Sequence, residues 1–118
     1  MVNYSSARLN RTFAALTDPT RRAILARLAA EGDTTVGALA KPLTIKLPAV
    51  MKHLGVLEDA GLIRRSKAGR VVTVRLDPAP IAPALGWLKR YERFWAPRLD
   101  HLARYAEAKE AAAKRKRP

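Results

Sequence analysis

Eight basic side chains stand between positions 41 and 75 (Lys41, Lys46, Lys52, Arg64, Arg65, Lys67, Arg70 and Arg75), against two acidic ones, Glu58 and Asp59. Their chemistry is anion recognition, because ammonium and guanidinium groups pair with phosphate oxygens and also reach the guanine acceptors O6 and N7. The apolar residues between them say where these groups point. Val50, Leu54 and Leu57 recur at spacings of four and three, which makes one stripe of a helix that must face a core. The opposite face carries Pro48, Lys52 and Gly55. In the N-terminal half of that helix, Lys46, Leu47, Pro48, Ala49, Met51, Lys52 and His53 are therefore the residues placed to meet a duplex, with Thr44 in the turn before it. Lys52 suits a guanine acceptor or a phosphate equally. Ala49 and Met51 can touch thymine methyl groups, or Met51 can be partly covered by the fold. His53 stands between an internal hydrogen bond and the DNA side.

Gly61 sits where a helix stops on a left-handed residue, and the chain turns at once into Leu62-Ile63. Two strand-like runs follow, joined by Lys67-Ala68-Gly69-Arg70. The second alternates Val72, Val74 and Leu76 against Val71, Thr73 and Arg75. A short hairpin with a basic tip is expected. Its Arg65, Lys67 and Arg70 complete the candidate DNA-binding set, Arg70 being suited to a minor groove or its flanking phosphates.

The rest of the inventory excludes other chemistries. No cysteine occurs, so disulfides, thiolate metal sites and cysteine nucleophiles are absent together. His101, with Asp100 and Glu107, supplies too few ligands for structural zinc, which takes four. No glycine-rich phosphate loop or spaced carboxylate pair is present, so neither an enzyme nor a cofactor or metal site is expected. Net charge is +13, from 23 Lys and Arg against 10 Asp and Glu, which favours a polyanionic partner, double-stranded DNA first. No apolar run reaches the length of a signal peptide or a membrane span. A soluble cytoplasmic protein without a membrane partner is expected.

The elements that must hold these residues can be read in order. A helix over about Ser6 to Leu16 places Leu9, Phe13 and Leu16 on one face, with Ser5 or Ser6 available as its cap. Asp18 and Pro19 suit the cap and first position of a second helix, which runs to about Ala30, buries Ile24, Leu25 and Leu28, and has Gly32 beyond its end. Thr34 or Thr35 can cap a short third helix carrying Val36, Leu39 and Ala40 and limited by Pro42. The short connection onward to the helix at Lys46 gives a helix-turn-helix. Asp77-Pro78-Ala79-Pro80 is a stiff joint into a long helix. There Ile81, Leu85, Leu88, Tyr91, Trp95, Leu99 and Leu102 recur every three or four residues. Pro97 is expected to kink that helix or start a new one.

A chain of 118 residues, 48% apolar, builds one compact domain with a thin core. So long an apolar helix is expected to serve a partner surface; an intramolecular core, or stacking of its aromatic cluster on a ligand or bases, are the other uses. The expected organisation is one domain over residues 1–106 with dimerisation helices near 6–16 and 80–106, then a basic, frayed tail over 107–118. The expected dimer contacts are Leu9, Phe13, Leu85, Leu88, Tyr91, Trp95, Leu99 and Leu102.

From Phe13 to about Leu102 the chain resembles the ArsR-like winged helix-turn-helix transcriptional regulators. FAALTDPTRRAILARLA is similar to that family's opening helices, LPAVMKHLGVLEDAGLI to its recognition helix, and RRSKAGRVVTVRLDPAP to its wing and exit. The resemblance implies a mainly α fold with a small two-stranded β wing, in the order α-α-α-α-β-β-α. It also implies a homodimer joined through the first and last helices, binding an inverted repeat through recognition helix 47–60 and wing 62–76, and usually repressing by blocking polymerase. The segment VGALA lacks the cysteine motif of metal-sensing members, and Asp100 and His101 do not complete the family's other metal set. The chain is thus similar to the non-metal-sensing branch. Lys46 and Met51 stand where members often carry serine or another polar group. A small-molecule or protein effector is left open, and the alternative function is a nonspecific architectural nucleic-acid binder driven by wing and tail.

Overall fold

The computed structural model describes residues 4–115, apart from the side chains of residues 4, 5 and 95. The side chains of Ser5, expected as a cap, and Trp95, expected at an interface, lie outside the described residues, as do Lys116 and Arg117 of the tail. The chain divides into two compact units, Met1–Ala84 and Leu85–Pro118.

In the first unit, α1 (Tyr4–Ala15) is followed after a tight turn by α2 (Pro19–Glu31). The start of α2 is built as its sequence predicts: Asp18 is extended, its carboxylate accepts from the Arg21 N–H at 3.0 Å, and Pro19 occupies the first turn, where no backbone donor is needed. At the other end the Gly32 N–H donates to the Leu28 carbonyl at 2.9 Å. Thr35 then caps α3 (Val36–Ala40) by accepting from the Ala38 N–H at 3.2 Å. The next helix, α4 (Leu47–Asp59), starts at Lys46 with no side-chain cap. The last carbonyls of α4 are satisfied around Gly61, whose φ of 75° places it in the left-handed region; the Leu62 N–H reaches back to the Leu57 carbonyl at 3.0 Å.

Strands β2 (Ile63–Ala68) and β3 (Val71–Leu76) form the hairpin, antiparallel with Ile63 opposite Leu76 and Ala68 opposite Val71. Gly69 has φ 62°, and no residue other than glycine has positive φ among those described, so the two-residue turn Gly69-Arg70 has the signs of a type II′ turn. The sequence reading of two strands is incomplete. Thr34 and Thr35 form a further short strand, β1 (Thr34–Thr35), pairing with Val74 and Thr73, and the sheet has the order β1-β3-β2. β1 was hidden because a threonine pair before a helix reads as a cap, and its partner strand lies far along the chain.

These elements close over one core of Ala15, Ile24, Leu28, Leu39, Val50, Leu54, Leu57, Leu62, Ile63 and Val74. Val50, Leu54 and Leu57 are fully buried. At roughly 1.5–3 kcal/mol for each fully buried side chain, the stripe holds α4 against α2 and the sheet and fixes which face of α4 remains outside.

The long terminal helix is two helices, α5 (Ile81–Lys89) and α6 (Glu92–Arg115). The break lies at Arg90-Tyr91, and Pro97, expected to mark it, sits inside α6. At the break the Arg90 N–H bonds both Gly86 and Trp87 carbonyls, the Tyr91 N–H bonds Leu88, and the Phe94 N–H bonds Tyr91, between 3.0 and 3.3 Å. Such i to i+3 bonds tighten and end a helix without proline. The Ala-rich residues after Leu102 continue as helix to Arg115.

Candidate nucleic-acid interface

Ion pairing divides the basic residues of the 41–75 region into two groups. Arg64 donates to Asp77 at 2.8 Å, Arg75 donates to Asp33 at 3.0 Å, and Arg65 grips Glu58 with two hydrogen bonds at 2.9 and 3.0 Å. Hydrogen bonding from Arg65 holds the Glu58 carboxyl below its usual range, while Glu58 raises the Arg65 guanidinium. Asp77 is lowered by the Ala79 N–H and then by Arg64, and Arg75 is raised by its bond to Asp33. Lys41, Lys46, Lys52, Lys67 and Arg70, by contrast, form no ion pair among the described residues, and all five are exposed. Apart from Lys41 at the end of α3, the uncompensated charge of this region gathers at the start of α4 and at the wing tip.

The fold brings those two places together. Leu47 and Met51 of α4 line one groove of about 420 Å³ with Arg70, Val71 and Val72 of the wing and the start of α3. Its walls are largely apolar, and Arg70 supplies a charge at its edge. Thr44, Pro48 and Lys52 are also exposed, whereas Ala49 is half-buried.

Two of the expected DNA-binding residues have partners inside the protein. Arg65 is half-buried in its pair with Glu58. His53 is half-buried against α2, with Nδ1 3.4 Å from Arg21 Nη1 and 3.8 Å from Asp18 Oδ2. The same Arg21 donates from Nε to the Ala15 carbonyl at 2.7 Å and from its other terminal nitrogen to Ala14 at 3.2 Å. Arg21 thus closes the end of α1 while touching α4, and Asp18 is held below the usual carboxylate range by the Arg21 N–H, with the charges of His53 and Arg21 adding. Sequence reasoning missed this cluster. Its only trace is the arginine pair Arg21-Arg22 in the first turn after the Asp18 cap and Pro19.

Residues of the second unit expected at a dimer interface are exposed where they are described: Leu85, Leu88, Tyr91, Leu99 and Leu102. Leu85, Leu88, Ala96 and Leu99 line a groove of about 450 Å³ rimmed by Lys89, Glu92 and Asp100. The Trp87 and Tyr91 rings pack tilted, with centroids 5.0 Å apart and planes 55° to each other, and Arg98 lies 4.0 Å over the Phe94 ring. In the first unit, Leu9 and Phe13 are half-buried. Among the described residues no three His, Cys, Asp or Glu side chains converge as a metal-ligand set, and no helix is long and apolar enough to cross a membrane.

A family model described as a helix-turn-helix domain matches residues 16–66. The chain is 39% identical to the HTH-type transcriptional regulator Rv2034 of Mycobacterium tuberculosis over 84% of its own length and 89% of that protein. It is 31% identical to the transcriptional repressor SdpR of Bacillus subtilis, over 70% of its own length and 91% of SdpR. Among solved structures it is similar to the ArsR family transcriptional regulator RHA00566, with a TM-score of 0.73 and 45% identity, covering 81% of this chain and 97% of that one.

Proposed function

The chain belongs to the ArsR-like winged helix-turn-helix transcriptional regulators, which bind DNA, and on that basis we propose that it is a homodimeric repressor of an inverted-repeat operator. Recognition helix 47–60 enters the major groove, and wing 62–76 lies on the adjacent minor groove and its phosphates. One observation carries this reading. Four of the region's five cations left without ion-pair partners, Lys46, Lys52, Lys67 and Arg70, stand on or beside the first turns of α4 and along the wing, while Arg64, Arg65 and Arg75 are paired with carboxylates.

The dimer is supported by the row of exposed leucines on residues 85–102, which in one copy face water. Two copies related by a two-fold axis place two recognition helices in successive major grooves about one helical turn apart, which is why the operator should be an inverted repeat. Repression is supported by the likeness to SdpR, a protein named as a repressor.

Selection of bound fragments from random duplexes, followed by footprinting, tests the whole reading. The expected result is one protected inverted repeat that survives competition with bulk DNA. Equal affinity for unrelated duplexes would replace the regulator with a nonspecific architectural binder. On the selected operator, Arg70→Ala should lower the slope of log affinity against log salt by about 0.9 for the one lost phosphate contact, with an unchanged melting curve. An unchanged slope would remove the wing from the interface.

A further inference from the structure

The face of α4 flanked by free cations is not itself polar. Leu47 and Met51 stand four residues apart, so they lie one above the other on the same side of the helix. Leu47 is 56% exposed and Met51 37%. Leu47 is in register with the buried stripe, preceding Val50 by three and Leu54 by seven, yet it stands at the exposed N-terminal end expected to meet a duplex. The core ends before the first turn of α4 and leaves it outside. Both side chains line the groove shared with Arg70 and Val71, and Lys46 and Lys52 adjoin them in sequence.

An apolar patch set among cations calls for a ligand that is anionic at its edges and apolar at one point. A second copy of this face is disfavoured, because the adjoining charges of Lys46, Lys52 and Arg70 are all positive. Duplex DNA meets both demands: its phosphates face the cations, and in its major groove the thymine C5-methyl is the apolar group among base-edge donors and acceptors. Neither leucine nor methionine can donate to guanine O6 and N7 as an arginine or lysine would. Packed against a G·C edge they would desolvate polar atoms without replacing their hydrogen bonds. We infer that Leu47 and Met51 read thymine methyl groups, so that each operator half-site carries thymine at the one or two positions facing the first turns of α4. This specificity rests on α4 being the recognition helix.

The probe is the selected operator with thymines replaced one at a time by deoxyuridine, which deletes only the methyl group. Affinity is measured for the native chain, Leu47→Ala and Met51→Ala, with melting curves as the check on folding. For the native chain, one or two half-site substitutions should weaken binding about fourfold each, the value of one buried methyl group. In Leu47→Ala or Met51→Ala the same substitution should then make no difference. If the native chain binds every uracil-substituted operator as tightly as the thymine form, the inference is overturned while the recognition helix stands. Retention of the full thymine preference in both variants overturns it too. Failure to select any operator removes the inference together with the reading beneath it.

Discussion

Arg65 and Arg70 lie on the same hairpin five positions apart, yet their guanidiniums have opposite environments. Arg65 is half-buried and bonded twice to Glu58, whereas Arg70 projects from the turn without an ion pair. A charge already matched within the protein must lose that partner before it can neutralise a phosphate, so the two residues cannot contribute equally to salt-dependent binding. The pair also has a pH signature. Glu58 has a folded pKa below its ordinary value of 4.5, so its contribution to stability is fully present above that pH and is lost as the pH falls through the depressed folded value. Its carboxylate is more than a third exposed, so screening keeps the contribution small. Glu58→Gln should cost roughly 0.5–1 kcal/mol at neutral pH. In urea melts the gap between native chain and variant should hold above about pH 5 and narrow below about pH 4. A gap that persists unchanged to about pH 3 would mean the ion pair does not stabilise the fold. His53 makes a similar point, because helical spacing left it between two roles and the positions of Asp18 and Arg21 place it against α2.

Helix ends and turns follow the local chemistry closely. Asp18 with Pro19, Thr35, Gly61 and Gly69 each do what their side chains or their freedom from a Cβ permit, and each was legible because a cap or a turn is decided within a few residues. Gly61 gives the sharpest test. An alanine there would hold φ near 75° at a cost of about 1–2 kcal/mol and would set its Cβ 3.3 Å from Pro80 Cγ. Gly61→Ala should therefore lower the urea midpoint by an amount equivalent to at least 1 kcal/mol, roughly the backbone cost alone. A change of only a few tenths would show that the end of α4 relaxes into another closure. Two features escaped the local reading. β1 exists because β3 offers it partners, and the α5–α6 break is set by i to i+3 bonds around Arg90-Tyr91 instead of by the more conspicuous Pro97.

At the scale of the whole chain, the two units carry different exposed features. The first unit buries the helix-turn-helix core and leaves Lys46, Lys52, Lys67 and Arg70 unpaired on α4 and the wing; the second, within residues 85–118, exposes Leu85, Leu88, Leu99 and Leu102. If that apolar row joins two copies, Leu99→Asp, at a side chain 57% exposed, should leave each copy folded. Sedimentation should then show a shift toward monomer, and operator affinity should fall about a hundredfold or more, because two linked half-sites bind far more tightly than one. A variant that stays dimeric with undiminished affinity would place the interface elsewhere.

The helix-turn-helix, its wing and its charge were written in the order of residues, because apolar periodicity, caps and turn glycines act over distances of one or two helical turns. The fold alone decided which of those charges remain unmatched, since Asp33 meets Arg75 and Glu58 meets Arg65 only after the sheet has formed against α4. It also decided that Leu47 and Met51, both expected from the sequence at the end of α4 that meets a duplex, line one groove with Arg70 and Val71 of the wing. Burial and charge compensation depend on neighbours brought together from distant parts of the chain, and no spacing within one segment records where those neighbours come to lie.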